Sequence, residues 1–459
     1  MKVSEKLLKK YNVPVPRYTS YPPANHFPDE FSDGDYRAML KESNSGRPEL
    51  MAIYIHIPFC KKICFYCGCN ACGIGKGRQV DTYFKALKKE IEMVAATLDK
   101  KRLVSQIHYG GGTPNAVPAK YITSLNEFLF ETFNFIDQPE IAIECHPAYL
   151  DEAYIEQLLR AKFNRFSLGI QDFNPDVLRQ VNREPSLLPV QELIPMIKKH
   201  NSGASVNLDF IYGLPGQSAE NFSRTIEQAV RIRPDRLVTF SYAHVPWVKK
   251  HQQILEKRGI PDPEEKIAMF LAAYGILSEA GYKPIGLDHF VLPDDELFLA
   301  LENNMLHRNF QGYCTRKTTG QVYAFGASAI SQLEKGYSQN IKDVDDYIAL
   351  VRRKKLPTVK GLRISHEQMI IREAITDLMC NKRINWSMTA ERTGITGKQL
   401  SDILAVNRQD LDEFVADGLI EMTNEEISVT ETGALFIRNI AASFDPAFLS
   451  SQQKYSRSI

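Results

Sequence analysis

The chain is predicted to be an α/β protein built around a partial, wide barrel of six β/α units, with an N-terminal arm and a small, mostly helical C-terminal domain. Three observations predict it. Short runs rich in β-branched or aromatic residues, at 51–57, 105–109, 140–145, 164–170, 204–210 and 236–243, alternate with helical segments, and successive β/α units imply parallel strands joined by right-handed crossovers. The unusual polar residues gather at the C-terminal ends of those runs: cysteines after 51–57, Gly110-Gly111-Gly112-Thr113 after 105–109, then Glu144, Gln171 and Asp209. A barrel brings such ends to one mouth, whereas an open sheet focuses them on one crevice. Beyond about residue 345 the texture changes to short helices.

Taken in order, residues 1–47 hold a short amphipathic helix and then a Pro- and Tyr-rich stretch, Val13 to Pro23, that cannot be helical; it reads as an arm over the active site. Residues 48–345, which carry the repeating β/α pattern, are expected to form the main domain. Between its strands, Asp81 to Leu98 places Phe84, Leu87, Lys88, Ile91 and Val94 on one face at the helical period. Residues 346–459 form the third segment, with helices expected at 366–380, 386–393 and 397–416 and a hairpin from 419–422 and 427–430, a winged-helix-like pattern. Residues 361–459 carry 10 Lys and Arg against 14 Asp and Glu, a net of −4, which disfavours contact with phosphates.

Composition excludes several classes. The 459 residues include 56 Lys and Arg against 55 Asp and Glu, a net charge of +1, so no global field gathers nucleic acid or an anionic membrane. The first ten residues alternate charge with leucine, and the longest uncharged apolar stretch, Ile267 to Leu277, is far short of the roughly 20 residues a spanning helix requires. A cytoplasmic protein with no membrane span and no nucleic-acid partner is expected.

Five of the eight cysteines, Cys60, Cys64, Cys67, Cys69 and Cys72, fall within thirteen residues. A tight cluster of this kind in a large chain points to metal, not to a disulfide framework. Cys60, Cys64 and Cys67, spaced by three and then two residues on one loop, can wrap one corner of an iron-sulfur cube whose fourth iron stays open to a ligand. The alternative is a closed zinc site that adds Cys69 or Cys72 as a fourth ligand.

The C-x-x-x-C-x-x-C motif after Tyr54-Ile-His-Ile-Pro-Phe59 is similar to the signature of radical S-adenosylmethionine (radical SAM) enzymes. The arm Pro16-Arg17-Tyr18-Thr19-Ser20-Tyr21-Pro22, the extra Cys69, and Leu306-His307-Arg308-Asn309-Phe310-Gln311-Gly312-Tyr313 resemble the oxygen-independent coproporphyrinogen III oxidases, over nearly the whole chain to Ile459. That resemblance implies a partial (β/α)6 TIM-like radical SAM barrel, one 4Fe-4S cluster on Cys60, Cys64 and Cys67, and two molecules of S-adenosylmethionine. It also implies conversion of two propionates of coproporphyrinogen III to vinyl groups through a 5′-deoxyadenosyl radical, giving protoporphyrinogen IX. An electron donor and an electron acceptor are required, both unidentified, and a monomer is expected.

Each remaining candidate has a plainer alternative. Three glycines exceed what a turn needs, and the bare backbone of Gly111 and Gly112, with Thr113, suits the amino and carboxylate groups of a cofactor. Glu144, Gln171 and Asp209 could be ordinary strand ends, yet they share one rim. Arg183 could be a solvated charge; the resemblance gives it the carboxylate of a second cofactor molecule, which its planar fork suits. Tyr54 and Tyr66 flank the cysteines and are implied against the two cofactors, with Ala243 and Ile330 as backbone or apolar contacts. Arg17 and Arg308 are candidates for substrate propionates. Cys145-His146 departs from the family pattern, where a small apolar residue and then Asp or Asn precede Pro147. Two rivals stand beside this reading: a related haem-trafficking or haem-modifying radical protein, against which Cys69 and the arm argue, and a zinc or nucleic-acid binding module.

Overall fold

The computed structural model describes residues 4–75, 77–404, 408–449 and 455. The first residues of the predicted arm, residues 405–407 of the predicted 397–416 helix and the end of the family resemblance at 456–459 lie outside the described residues. The chain divides into two compact units, each assembled from separate stretches: Phe27–Ala280 with Thr318–Arg363, and Met1–His26 with Gly281–Lys317 and Ile364–Ile459.

The first unit is organised by a sheet to which it contributes β1 (Met51–Ile57), β2 (Leu103–Gly111), β3 (Asn134–Cys145), β4 (Arg165–Gln171), β5 (Ser205–Tyr212), β6 (Arg236–Ser241), β7 (Gln321–Phe325), β8 (Ile330–Leu333), β9 (Gly336–Asn340) and β10 (Thr358–Arg363). Their spatial order is β10-β9-β8-β7-β1-β2-β3-β4-β5-β6. The six predicted strands are therefore all present, parallel and in sequence order, as a partial barrel requires. Beyond β1 the sheet continues with β7, parallel to β1, and then antiparallel β8, β9 and β10. The sheet unit thus extends past the change of texture at 345, because Thr358–Arg363 still pairs with Gly336–Asn340.

Helix Gly77–Ala95 keeps Lys88 half-buried and buries Phe84, Leu87, Ile91 and Val94 of the face read from the sequence, together with Val80 and Tyr83. Each such side chain contributes about 1.5–3 kcal/mol on leaving water. The same helix carries Glu90, buried at 1% exposure. Its Oε2 accepts from Gly326 N at 2.9 Å and Tyr347 OH at 2.5 Å, and its Oε1 accepts from Asn340 Nδ2 at 2.6 Å. One carboxylate thereby joins this helix to β9, to the turn after β7 and to helix Val344–Arg352.

The barrel interior is polar at depth. Glu140 accepts from Gln106 Nε2 at 2.5 Å and pairs with Arg165 at 2.6 Å. Burial pushes its carboxyl up, but the charges of Arg165 and Arg236 outweigh burial and hold it at about 2. Helix Asp33–Ser43 starts on a capping box between Ser32 and Asp35 and buries Tyr36, Met39 and Leu40 on one face.

In the second unit, residues 4–26 pack against the C-terminal region. Tyr11, Val15, Tyr18 and Tyr21 join one apolar cluster with Ile370, Phe436 and Ile440. Tyr18 and Tyr21 donate to Asp445 at 2.9 and 3.1 Å. Two of the expected helices appear as His366–Asn381 and Trp386–Thr393, whereas the single helix expected over 397–416 is replaced by two, Gly397–Ile403, which ends at Leu404, and Arg408–Ala416. Ile420–Met422 and Glu426–Val429 make the expected hairpin, extended by Arg383–Asn385 into a three-stranded sheet. No helix among the described residues is long and apolar enough to cross a membrane.

Candidate active site

The C-terminal ends of β1 to β6 carry most of the candidates. Immediately after β1, Phe59–Cys60 pairs with Cys72–Gly73, which closes the intervening cysteine loop into a small lobe. Phe65 N donates to Val181 O at 3.0 Å, anchoring the lobe at the end of helix Pro175–Gln180. Cys60 Sγ lies 3.3 Å from Thr113 Oγ1 and Cys64 Sγ 3.6 Å from Arg183 Nη1. Both thiols are buried, and burial pushes Cys60 up to about 11. A hydrogen bond from Cys69 is the main influence on Cys67, bringing it down to about 6. Cys69 itself, exposed and raised by the same bond, acts as the donor of the pair.

Beside these thiols, the glycine run ends β2 and lies against the lobe. A Cβ on Gly112 would come within 2.8 Å of Pro58 C and 2.9 Å of its carbonyl oxygen. One on Gly110 would meet Glu144 Oε1 at 2.7 Å, and Gly111, at φ 114°, has the His56 ring where a Cβ would go. Only glycine fits this edge. A Gly112→Ala variant should therefore displace the lobe and lower turnover about a hundredfold; unchanged cofactor affinity and turnover would contradict the close approach.

Around the rim, Glu144 accepts from His108 Nε2 at 2.9 Å. Burial pushes its carboxyl up, yet the His108 hydrogen bond and charge, with the Gly111 N–H, hold it below the ordinary carboxylate range. Tyr54 stands opposite His108 in register, their rings stacked at 6.0 Å, and its hydroxyl donates to His56 Nδ1 at 3.2 Å. His56 Nε2 in turn donates to Asn70 O at 2.9 Å, tying β1 to the cysteine lobe. Asp209 accepts from Ser167 Oγ at 2.7 Å and Asn207 Nδ2 at 2.6 Å, and burial raises its carboxyl to about 7.

Gln171 ends β4 at φ 70°, its Oε1 buried with no hydrogen-bond partner among the described residues. Arg183 is 9% exposed; its Nη2 donates to Gly169 O, while its Nε has no such partner. Tyr66 is fixed through its carbonyl, which accepts from Gln252 Nε2 at 2.8 Å; the same amide reaches Ala243 O at 3.4 Å. Ile330 opens β8, on the extension of the sheet beyond β7, half-buried. The two arginine candidates belong to the other unit. Arg17 is exposed on the arm. Arg308 stacks on the Tyr313 ring at 4.6 Å, with Nε and Nη1 buried and without hydrogen-bond partners among the described residues. Asp288, hydrogen-bonded to His289 at 2.7 Å, feels both arginines, and these influences outweigh burial to keep its carboxyl low.

Sequence reasoning passed over His56 and His108, which link the cysteine lobe, the glycine edge and Glu144. The signal was the register that sets Tyr54 beside His108, visible only once β1 and β2 are paired. The departure at Cys145-His146 is structural in part: His146 N and O exchange hydrogen bonds with Asn115 at 2.8 and 2.9 Å, and its Nδ1 accepts from Ala148 N at 3.1 Å. Burial lowers the imidazole to about 2, so it is neutral.

The donor set fits an iron-sulfur cluster with a polar ligand beside it. Three thiols share one short loop, one of them with a depressed pKa, and two buried, unpartnered atoms lie by β4, Gln171 Oε1 at its end and Nε of Arg183, whose guanidinium donates to Gly169 O. Comparison with known proteins agrees. The Radical SAM superfamily model matches residues 54–229. The chain is 38% identical to the oxygen-independent coproporphyrinogen III oxidase of Synechocystis, covering 99% of this chain and 98% of that one. It is 37% identical to the Salmonella typhimurium enzyme of the same name, with the same coverage. The solved structure of Escherichia coli coproporphyrinogen III oxidase, described as a radical SAM enzyme, superposes with a TM-score of 0.87 at 35% identity, over 96% of this chain and 99% of that one. With the cysteine lobe, the glycine edge and the polar rim in place, this chain belongs to the oxygen-independent coproporphyrinogen III oxidases, a family of radical SAM enzymes.

Proposed function

We propose that this protein decarboxylates two propionate side chains of coproporphyrinogen III to vinyl groups, giving protoporphyrinogen IX without oxygen. The observation that carries the reading is the cysteine lobe pressed on the glycine edge of β2. Family membership implies a 4Fe-4S cluster and S-adenosylmethionine. Bound together, these supply a one-electron cleavage that makes hydrogen abstraction from a propionate β-carbon possible.

The chain's own residues hold and orient. Cys60, Cys64 and Cys67 ligate the cluster, and the donor to Cys67 favours its thiolate. Gly111, Gly112 and Thr113 offer backbone groups to the methionine end of the cofactor, and Glu144, kept ionised by His108, suits its cationic amine or ribose hydroxyls. Asp209 and Gln171 complete that rim. Arg183 takes the carboxylate of a second cofactor molecule, its unpartnered Nε supporting a further acceptor there, with Tyr54, Tyr66, Ala243 and Ile330 as flanking contacts. Arg308, stacked and with unpaired donors, and Arg17 pair with substrate carboxylates. The protein acts as a cytoplasmic monomer supplied by a separate electron donor, and an acceptor removes the remaining electron.

The decisive experiment incubates anaerobically reconstituted protein with dithionite, S-adenosylmethionine and coproporphyrinogen III. Protoporphyrinogen IX with methionine is the expected product. Cofactor cleavage that leaves the tetrapyrrole intact would replace this reading with a haem-handling one.

A further inference from the structure

The loop after β6 places exposed apolar surface beside the cysteine lobe. Trp247 and Val248 are 61% and 65% exposed, the two most exposed large apolar side chains among the described residues. Nothing loose explains them, because the loop is braced on both sides. Gln252 Oε1 accepts from Val245 N at 2.7 Å while its Nε2 donates to Tyr66 O at 2.8 Å. Lys249 Nζ donates to Cys69 O at 2.6 Å and His251 Nε2 to Cys67 O at 2.8 Å. The apolar tip is thus held rigidly against the backbone of the proposed cluster ligands.

Its surroundings are predominantly cationic. Residues 57–77 and 242–258 contain six lysines and one arginine against a single acidic residue, Glu256, which is hydrogen-bonded to His244 at 2.7 Å, in a chain whose net charge is only +1. Lys61, Lys62 and Lys250 are exposed. A rigid aromatic anchor with cations near it is the composition of a protein contact, and local charge of one sign selects a partner of the other. A rigid tip also loses little entropy on docking.

We propose that the Trp247–Val248 tip, with Lys250, is the docking surface for an acidic, one-electron carrier protein that reduces the cluster. This rests on the radical SAM reading above. Each encounter oxidises the carrier by one electron and reduces the cluster by one, with no bond made or broken. The Lys249 and His251 hydrogen bonds give the short connection from the tip to the ligand loop.

The test uses reconstituted holoenzyme and flavodoxin, a small acidic flavoprotein, as the probe carrier. Binding of oxidised flavodoxin is read by flavin anisotropy, and cofactor cleavage is read separately with reduced flavodoxin and with dithionite. The expected result for Trp247→Ala with Lys250→Glu is a binding constant weakened at least about tenfold and a flavodoxin-driven rate reduced in proportion, while the dithionite rate stays within about twofold. Wild-type binding should also weaken as salt rises. Unchanged flavodoxin affinity in the variant would overturn the proposal. So would equal losses with both reductants, which would make the tip a substrate or cofactor contact. Binding is measured without turnover, so it decides the docking question even if no decarboxylation is found.

Discussion

Replacing Cys64 with alanine is expected to leave the protein colourless after anaerobic reconstitution and to reduce decarboxylation at least about a thousandfold. Cys64 is buried at the centre of the lobe, beside Arg183. Two thiolates cannot grip three corners of a cube, and the loop around Cys64 is too tightly anchored, through Phe65 to Val181 and Asn182 to Ile63, to bring another ligand across. Iron content and the cluster's visible absorption give the first readout and product formation the second. Cys314→Ala, a buried thiol of the other unit, should retain both. A brown Cys64→Ala protein with a full complement of iron would refute the ligand assignment.

The second large effect concerns stability. Glu90→Ala strips the acceptor from the Gly326 N–H, the Asn340 amide and the Tyr347 hydroxyl in a buried site, and should cost about 3–5 kcal/mol. A denaturant midpoint measures it. Burial pushes this carboxyl up to about 7 against those three donors, whereas in the unfolded chain it titrates near about 4.3. Between these values the folded protein binds the proton more tightly, so this group's contribution declines as pH rises from about 4.3 to 7. Glu90→Gln, which cannot ionise, should flatten that part of the stability profile. It should still cost stability, since its amide nitrogen in the Oε1 position would face the donating Asn340 Nδ2. An unchanged midpoint in the alanine variant would show that the three donors find other partners.

The barrel was legible because its strands obey local rules. Runs such as Met51–Ile57 and Ser205–Tyr212 are rich in β-branched and aromatic residues and punctuated by Gly and Pro. Residues 134–139, with Asp137 and Pro139, hid the first half of β3. The short strands β8, β9 and β10 gave too little alternation to read. Site candidates at strand ends were legible for the same reason as the strands. The contacts of His56 and His108 were not, because they depend on which residues two strands set side by side. Nor could sequence reveal that Arg17 and Arg308 influence one carboxylate, Asp288, since 290 positions separate the arm from the Arg308 hairpin only along the chain. That unit is made of three stretches, and nothing local announces their association.

This discontinuity orders biosynthesis. The apolar side chains of Tyr11, Val15, Tyr18 and Tyr21 leave the ribosome well before Ile370, Phe436 and Ile440, against which they are buried. Throughout translation the nascent chain displays a sticky leader with no native shelter, while the stretch from Phe27 to Ala280 can already collapse. A polypeptide cut short before Ile364 would consequently leave Tyr11, Val15, Tyr18 and Tyr21 open to chaperones and proteases, and they are spared only once the stretch from Ile364 onward has been made.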